Sequence, residues 1–358
     1  MQNVHGGTIY IIARELGIAP DKLIDFSANI NPLGFSPRIK KALQQNERWI
    51  LHYPDRSAHD LICELSRYHG IPAHSILAGN GSTELIFLLP RVLQLKRVLL
   101  VVPTFSEYET SNRSINGQVY YFKNLEKDQF CINAERLLRA LRKGYDALYI
   151  CNPANPTGVL TPLDMLQDVV KYARAKATRV IIDETFIDFD ECQSLKYQIN
   201  KYENLYILRS MTKFFGLPGL RAGYVISSEK NIIRLREQQE PWTMNVFAQY
   251  ASIESLKDRE FIKRTIVYVK ESRQKLIAEL NKFPYLKVFP SAANYLLLKL
   301  DKSAPIKVAR LYERLLQKGI IIRKCDSFEG LDDKFFRVAV RKYNENRRLI
   351  KVLAEVLR

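Results

Sequence analysis

Cysteine is scarce in this 358-residue chain, which holds Cys63, Cys131, Cys151, Cys192 and Cys325 and nothing more. These five are odd in number, scattered, and form no CxxC pair. That excludes a disulfide framework and argues against a zinc site, so no metal is expected. Long apolar runs are missing too. No stretch approaches the ~18 residues needed to span a membrane, so no membrane partner is expected. Met1 to Gly17 lacks the basic start and long apolar core of a secretory signal, and reduced thiols in a cytoplasm are the expectation. Acidic residues are in deficit, 38 against 55 basic ones, for a net charge of +17. Yet blocks of five or more lysines or arginines are absent, and the basic residues interleave with acids. The excess is therefore read as a solvated surface, with modest steering of anionic substrates into a cationic cleft. No nucleic-acid partner is expected. Internal repeats and low-complexity segments are absent as well.

What remains is an ordinary globular composition, 47% hydrophobic and 26% charged, with length for about two domains on the prior of ~150 residues each. The middle of the chain alternates short apolar runs with helical patterns. Arg97 to Val102, Asp146 to Cys151, Arg179 to Asp183 and Asn204 to Arg209 read as buried strands. Thr161 to Ala175 reads as a helix, with Thr161 as N-cap and Pro162 in the first turn. Short apolar strands separated by helices predict an α/β fold, a mostly parallel sheet covered on both faces. Ligands in such sheets sit at the carboxyl ends of the strands. After about residue 250 the pattern changes to a smaller α+β unit. A long helix over Asp258 to Asn281 is followed by a strand over Ala293 to Leu300 and a helix over Pro305 to Lys318. Strands over Gly319 to Arg323 and Phe335 to Val340 precede a last helix, Tyr343 to Leu357. No Pro/Gly/Ser-rich linker marks the boundary.

Chemistry concentrates where these strands end. Lys213 lies in Ser210-Met211-Thr212-Lys213-Phe214-Phe215-Gly216-Leu217-Pro218-Gly219-Leu220-Arg221. A lysine among small hydroxyl residues, before a Gly/Pro-rich turn and an arginine eight positions on, is what a pyridoxal 5'-phosphate enzyme needs. The amine joins the cofactor aldehyde, while Ser210 and Arg221 hold the phosphate. Asp183 ends the run Val180-Ile181-Ile182-Asp183. A carboxylate at a buried strand end is costly unless paired, and a protonated pyridine nitrogen supplies the pair. Asn155, in the rigid turn Asn152-Pro153-Ala154-Asn155-Pro156-Thr157-Gly158, can donate to the phenolic oxygen. Asn155, Asp183 and Lys213 lie 28 and 30 residues apart, about one strand-helix unit each. Three consecutive strand ends would then deliver them to one pocket. Gly79-Asn80-Gly81-Ser82-Thr83 precedes a helix and offers amides, hydroxyls and a helix dipole to a phosphate. Phe105, in Pro103-Thr104-Phe105-Ser106-Glu107-Tyr108, can stack on the ring.

Taken in this order, the motifs resemble the fold-type I pyridoxal-phosphate enzymes, in the aminotransferase class I/II branch, over essentially the whole chain. The resemblance implies an N-terminal arm (1–45) that joins the small domain, a large cofactor domain (46–250) and a small α+β domain (251–358). It implies Lys213 as the Schiff-base lysine, Asp183 as the pyridinium partner, Asn155 at the phenolic oxygen and Phe105 on the ring. Ser82, Thr83, Ser210 and Arg221 form its phosphate cup. Tyr53, in His52-Tyr53-Pro54-Asp55, matches the tyrosine that reaches the partner subunit's cofactor phosphate, which implies a homodimer.

Two subfamilies fit, the L-threonine-O-3-phosphate decarboxylases of cobalamin synthesis and the histidinol-phosphate aminotransferases. His5-Gly6-Gly7, Asp25-Phe26-Ser27-Ala28-Asn29-Ile30-Asn31-Pro32-Leu33-Gly34 and Gln238 to Asn245 resemble the decarboxylases. So does Phe186, where the aminotransferases usually carry tyrosine. The implied substrate is a small, phosphorylated, anionic amino acid, threonine phosphate or serine phosphate. Arg337 would grip its carboxylate and Arg323 its phosphate, with His5 and Asn29 completing the phosphate pocket. Arg341 is read as structural. The same residues would serve decarboxylation or amine transfer, so the choice between them rests on resemblance.

Overall fold

The computed structural model describes residues 5–357. Its strands are β1 (Ile24–Asp25), β2 (Ile76–Gly79), β3 (Arg97–Val102), β4 (Gln118–Lys123), β5 (Ala147–Cys151), β6 (Arg179–Asp183) and β7 (Leu205–Ser210). They continue with β8 (Gly223–Ser227), β9 (Leu286–Val288), β10 (Tyr295–Leu300), β11 (Ile320–Ile321), β12 (Arg323–Lys324) and β13 (Phe335–Ala339). Seven of them form one sheet in the order β2-β8-β7-β6-β5-β3-β4. The pairs β4–β3, β3–β5, β5–β6 and β6–β7 are parallel, and β8 runs antiparallel to both of its neighbours. The fold is thus α/β with a mostly parallel central sheet.

Alternation along each strand feeds two cores. Leu99, Ile150, Ile182 and Ile207 face one helix layer, while Leu100, Tyr149, Ile181 and Leu208 face the other. Burial on both faces is why these strands read as continuous Val/Ile/Leu runs rather than as alternation. Because five neighbouring strands point the same way, their carboxyl ends open along one edge.

A third core belongs to the antiparallel sheet β12-β13-β10-β9. Leu296, Leu298, Phe336 and Val338 of that sheet pack with Leu276, Leu311, Leu349 and Leu353 from the helices Arg259–Leu280, Val308–Gln317 and Tyr343–Val356. The chain's beginning joins this unit, because β1 pairs in parallel with β11, Ile24 opposite Ile320.

Two local expectations need correction. The segment read as one strand over Gly319 to Arg323 is two, since Ile320–Ile321 pairs with β1 and Arg323–Lys324 with β13. Thr161 does not cap the following helix, which spans Leu163–Ala175 after an N-cap at Pro162. Instead the Thr161 N–H donates to Asn152 Oδ1 at 2.7 Å, which ties the turn after β5 onto itself.

Candidate active site

One cavity of about 910 Å³ opens at the carboxyl edge of the large sheet, facing β12 and β13. Ser82, Thr83, Phe105, Asn155, Asp183, Ser210, Lys213, Arg221, Arg323, Arg337, His5 and Asn29 all line it. Tyr53 does not. It is 82% exposed, beside Trp242 at 5.1 Å between ring centroids, in a separate surface depression.

Asp183 ends β6 and is buried. Its Oδ2 accepts from the Tyr108 hydroxyl at 2.5 Å and its Oδ1 from the Thr185 N–H at 2.8 Å. Both donors are neutral, and among the described residues no lysine or arginine is paired with this carboxylate. Burial pushes its pKa above the usual aspartate value, against the pull of those donors. The position therefore fits a cation that the chain itself does not supply.

Lys213 follows β7 in a loop held by the N-terminal segment. Asn31 donates its N–H to the Lys213 carbonyl at 3.0 Å and its Nδ2 to the Phe214 carbonyl at 2.7 Å. The lysine is half-buried, and its ammonium pKa is lowered to about 8, first by burial and then by Arg337 and Arg221, with Asp25 pulling the other way. A lysine so placed becomes a free amine far more readily than a surface lysine.

The phosphate end is built from backbone. The helix Gly81–Leu93 starts directly after β2, and its first turn lacks a side-chain cap. Its amides are thus open to an anion. Gly81 has φ of 73°, in the left-handed region that favours glycine, and a Cβ there would crowd Arg221 Nη2 at 2.7 Å. At Gly223 a Cβ would meet Ser82 N at 2.3 Å, so glycine also lets this turn close onto β8. Glu84 and Gln239 brace the turn from behind. Glu84 Oε2 accepts from the Asn80 N–H, and Gln239 Nε2 donates to Ala78 O at 2.9 Å and Glu84 Oε1 at 2.8 Å. Free amides, the hydroxyls of Ser82, Thr83 and Ser210, and Arg221 form a cradle of the right chemistry for a phosphate monoester.

The opposite wall is cationic. Arg323 on β12 and Arg337 on β13 are direct cross-strand partners, 7% and 6% exposed. Like charges facing each other across a ladder are unfavourable. Arg337 Nη1 donates to Asn155 Oδ1 and Nη2 to the Ser27 carbonyl at 2.8 Å, and its Nε lacks a hydrogen-bond partner among the described residues. Arg323 Nη2 donates to Ser327 Oγ at 2.6 Å, and its guanidinium lies 5.2 Å from the Phe328 ring centroid. Asn29 is buried on the same wall, and its Oδ1 has no hydrogen-bond partner among the described residues. His5 Nε2 meets Glu107 Oε1 at 2.9 Å, and its ring lies 5.7 Å from Phe105. Arg341 is tied to the Asp25 carbonyl at 3.0 Å and to Glu345 at 2.8 Å.

Sequence reasoning missed three contributors. Tyr108 closes the Phe105 motif, and its sequence position alone assigns it no role. Ser27 and Asn31 lie in the motif that carries the resemblance to the decarboxylases, where only Asn29 is given a role in the site. The spacing of Tyr108, three residues after Phe105 at a helix start, was the one available signal.

The chain matches the family described as Aminotransferase class I and II over residues 21–353. It is 37% identical over 357 residues to the threonine-phosphate decarboxylase of Salmonella typhimurium, covering 99% of this chain and 97% of that one. It is 33% identical over 350 residues to the histidinol-phosphate aminotransferase of Methanococcus maripaludis, covering 97% and 93%. The crystal structure of the histidinol-phosphate aminotransferase from Clostridium acetobutylicum superposes with a TM-score of 0.87 at 34% identity, covering 93% of this chain and 99% of that one. Cradle, buried carboxylate and depressed lysine agree with the match: the chain belongs to the aminotransferase class I and II family, and its cofactor is pyridoxal 5'-phosphate.

Proposed function

We propose that this enzyme decarboxylates L-threonine O-3-phosphate to (R)-1-amino-2-propanol O-2-phosphate, a step of corrinoid side-chain synthesis. Serine phosphate, giving ethanolamine phosphate, is the close variant, because one methyl group is worth only ~1–3 kcal/mol of discrimination. The observation that carries the reading is the Arg323–Arg337 pair, two buried arginines in register on adjacent strands that line one cavity. Such a pair suits a small substrate that bears two anionic groups. The 37% identity to a threonine-phosphate decarboxylase supports it.

Each residue then has a task. Ser82, Thr83, Ser210 and Arg221 would hold the cofactor phosphate, Phe105 would cover the ring, and Asn155 would reach its phenolic oxygen. Asp183, fixed by Tyr108 and Thr185, keeps a proton on the pyridine nitrogen. Pyridoxal phosphate, when bound, accepts into its ring the electron pair left on the substrate α-carbon. Arg337 grips the substrate carboxylate, while Arg323, His5 and Asn29 hold the phosphate, and the phosphate anchor sets the rotation that exposes one α-carbon bond. The bond to the carboxylate breaks, carbon dioxide leaves, and Lys213 delivers a proton to the α-carbon. Tyr53 reaches across a homodimer to the partner's cofactor phosphate, and the enzyme works in the cytoplasm. The domain limits are 1–45, 46–250 and 251–358.

Amine transfer from histidinol phosphate is the alternative, and the 34% identity at a TM-score of 0.87 favours it. Phe186 counts against it. This buried side chain lines the cavity without a hydroxyl, 4.9 Å from the Tyr295 ring centroid. Dependence on 2-oxoglutarate separates the two. Turnover of threonine phosphate without an oxoacid supports decarboxylation, and sustained glutamate formation from histidinol phosphate contradicts it.

A further inference from the structure

The segment after β1 does more than present Asn29 to the cavity. Phe26 turns its ring into the small-unit core, so its neighbours Asp25 and Ser27 turn the other way and line the cavity. Asp25 Oδ1 accepts from the Ser27 N–H at 2.7 Å and from Ser27 Oγ at 2.6 Å. Ser27 is thereby fixed at backbone and side chain together. Two other groups then use it. Its carbonyl accepts from Arg337 Nη2 at 2.8 Å, and its Oγ accepts from the Gly7 N–H at 2.9 Å. The arm lies so close that a Cβ on Gly6 would stand 2.3 Å from the Ser27 carbonyl oxygen. One carbonyl oxygen therefore meets the cavity arginine on one side and the N-terminal arm on the other. His5, at the outer end of the arm, closes onto Glu107 at 2.9 Å.

We propose that Ser27, aligned by Asp25, is a positioning residue through which the arm His5–Gly7 controls the aim of Arg337. With the arm seated, Gly7 and Asp25 hold the Ser27 hydroxyl, and the carbonyl fixes one arm of the guanidinium fork. With the arm displaced, Ser27 loses one of its anchors and the fork loosens. Seating of the arm and binding of a carboxylate at Arg337 then favour each other, and by linkage the coupling is reciprocal. This inference rests on the reading of Arg337 as the ligand of the substrate carboxylate.

The test uses the cofactor-loaded enzyme and threonine phosphate, with Gly6→Ala, Ser27→Ala, Arg337→Lys and the double variant Gly6→Ala/Arg337→Lys. Gly6→Ala displaces the arm, and His5 moves with it, so the double variant with Arg337→Lys, rather than KM alone, isolates the part that runs through Arg337. Gly6→Ala is expected to raise KM about tenfold, the scale of one lost hydrogen bond to a charged group, with kcat within about twofold. Ser27→Ala should do the same, which guards against a folding defect in either variant. Arg337→Lys should raise KM by a larger factor in the native background than in the Gly6→Ala background. Unchanged KM in both arm variants, or effects that multiply independently, would overturn the coupling while Arg337→Lys alone still raised KM. An Arg337→Lys enzyme with native KM would instead remove the reading of Arg337 itself.

Discussion

Tyr108 and Asp183, 75 residues apart, share a 2.5 Å hydrogen bond at the buried floor of the cavity. The hydroxyl is one of two groups whose hydrogen bonds oppose the burial that raises the carboxylate's pKa. Removing it with Tyr108→Phe leaves the buried ring in place and takes away one donor. A hydrogen bond to a charged group is worth ~1.5–3 kcal/mol, so kcat should fall roughly ten- to a hundredfold with little change in fold. Steady-state kinetics on the cofactor-loaded variant checks this, and a native kcat would mean that Asp183 needs no help from Tyr108.

The Lys213 ammonium is depressed to about 8 by burial and by two nearby guanidiniums. Capture of free pyridoxal phosphate by the apoenzyme needs the neutral amine. The capture rate should therefore rise roughly tenfold per pH unit below 8 and level off above it. Replacing Arg221 or Arg337 by alanine removes a neighbouring positive charge and should move the levelling point upward. Stopped-flow absorbance gives the profile, and a rise that continues to about 10 would contradict the depressed lysine.

Arg323 and Arg337 face each other across the β12–β13 ladder. A dianion placed against them relieves their repulsion, so inorganic phosphate should raise the melting temperature of the native enzyme. Arg323→Ala should abolish most of that rise and increase KM for threonine phosphate by roughly a hundredfold, the loss of about 3 kcal/mol from a charged contact. Thermal scans with and without phosphate check the first statement and kinetics the second.

Behind the cavity floor, Arg209 is fully buried and pairs with Glu184 at 3.1 Å, Asp188 at 2.8 Å and Glu191 at 2.6 Å. Glu184 follows Asp183 and Arg209 precedes Ser210, so the ion cluster and the cavity residues occupy opposite faces of the same two strand ends. Arg209→Met would leave two buried carboxylates without their cation, at a cost of ~3–5 kcal/mol. Denaturant unfolding should show a loss of that size, smaller at acidic pH where the carboxylates protonate. A loss below about 1 kcal/mol would mean that the cluster is dispensable.

The central strands were legible because parallel strands buried on both faces leave continuous apolar runs. Arg97–Val102 and Arg179–Asp183 stand where the sequence places them. The site residues that end those strands were legible for the same reason, since chemistry collects at one edge of a parallel sheet. What stayed hidden depends on distant partners. The split between Ile321 and Arg323 follows from two different pairing strands, one near residue 24 and one near residue 337. Tyr108 reaches Asp183 only after β3 and β6 are laid in one sheet, and Ser27 reaches Arg337 across 310 residues. No local periodicity encodes such contacts. Tyr53 presents the reverse case, legible as a motif yet exposed on the chain's own surface and outside its own cavity.

The most direct test of the account is product analysis by mass spectrometry. The cofactor-loaded enzyme is incubated separately with threonine phosphate, serine phosphate and histidinol phosphate, each with and without 2-oxoglutarate. Aminopropanol phosphate and carbon dioxide are expected from threonine phosphate in equal yield with and without the oxoacid. Oxoacid-dependent amine transfer from histidinol phosphate, with threonine phosphate left intact, would contradict it.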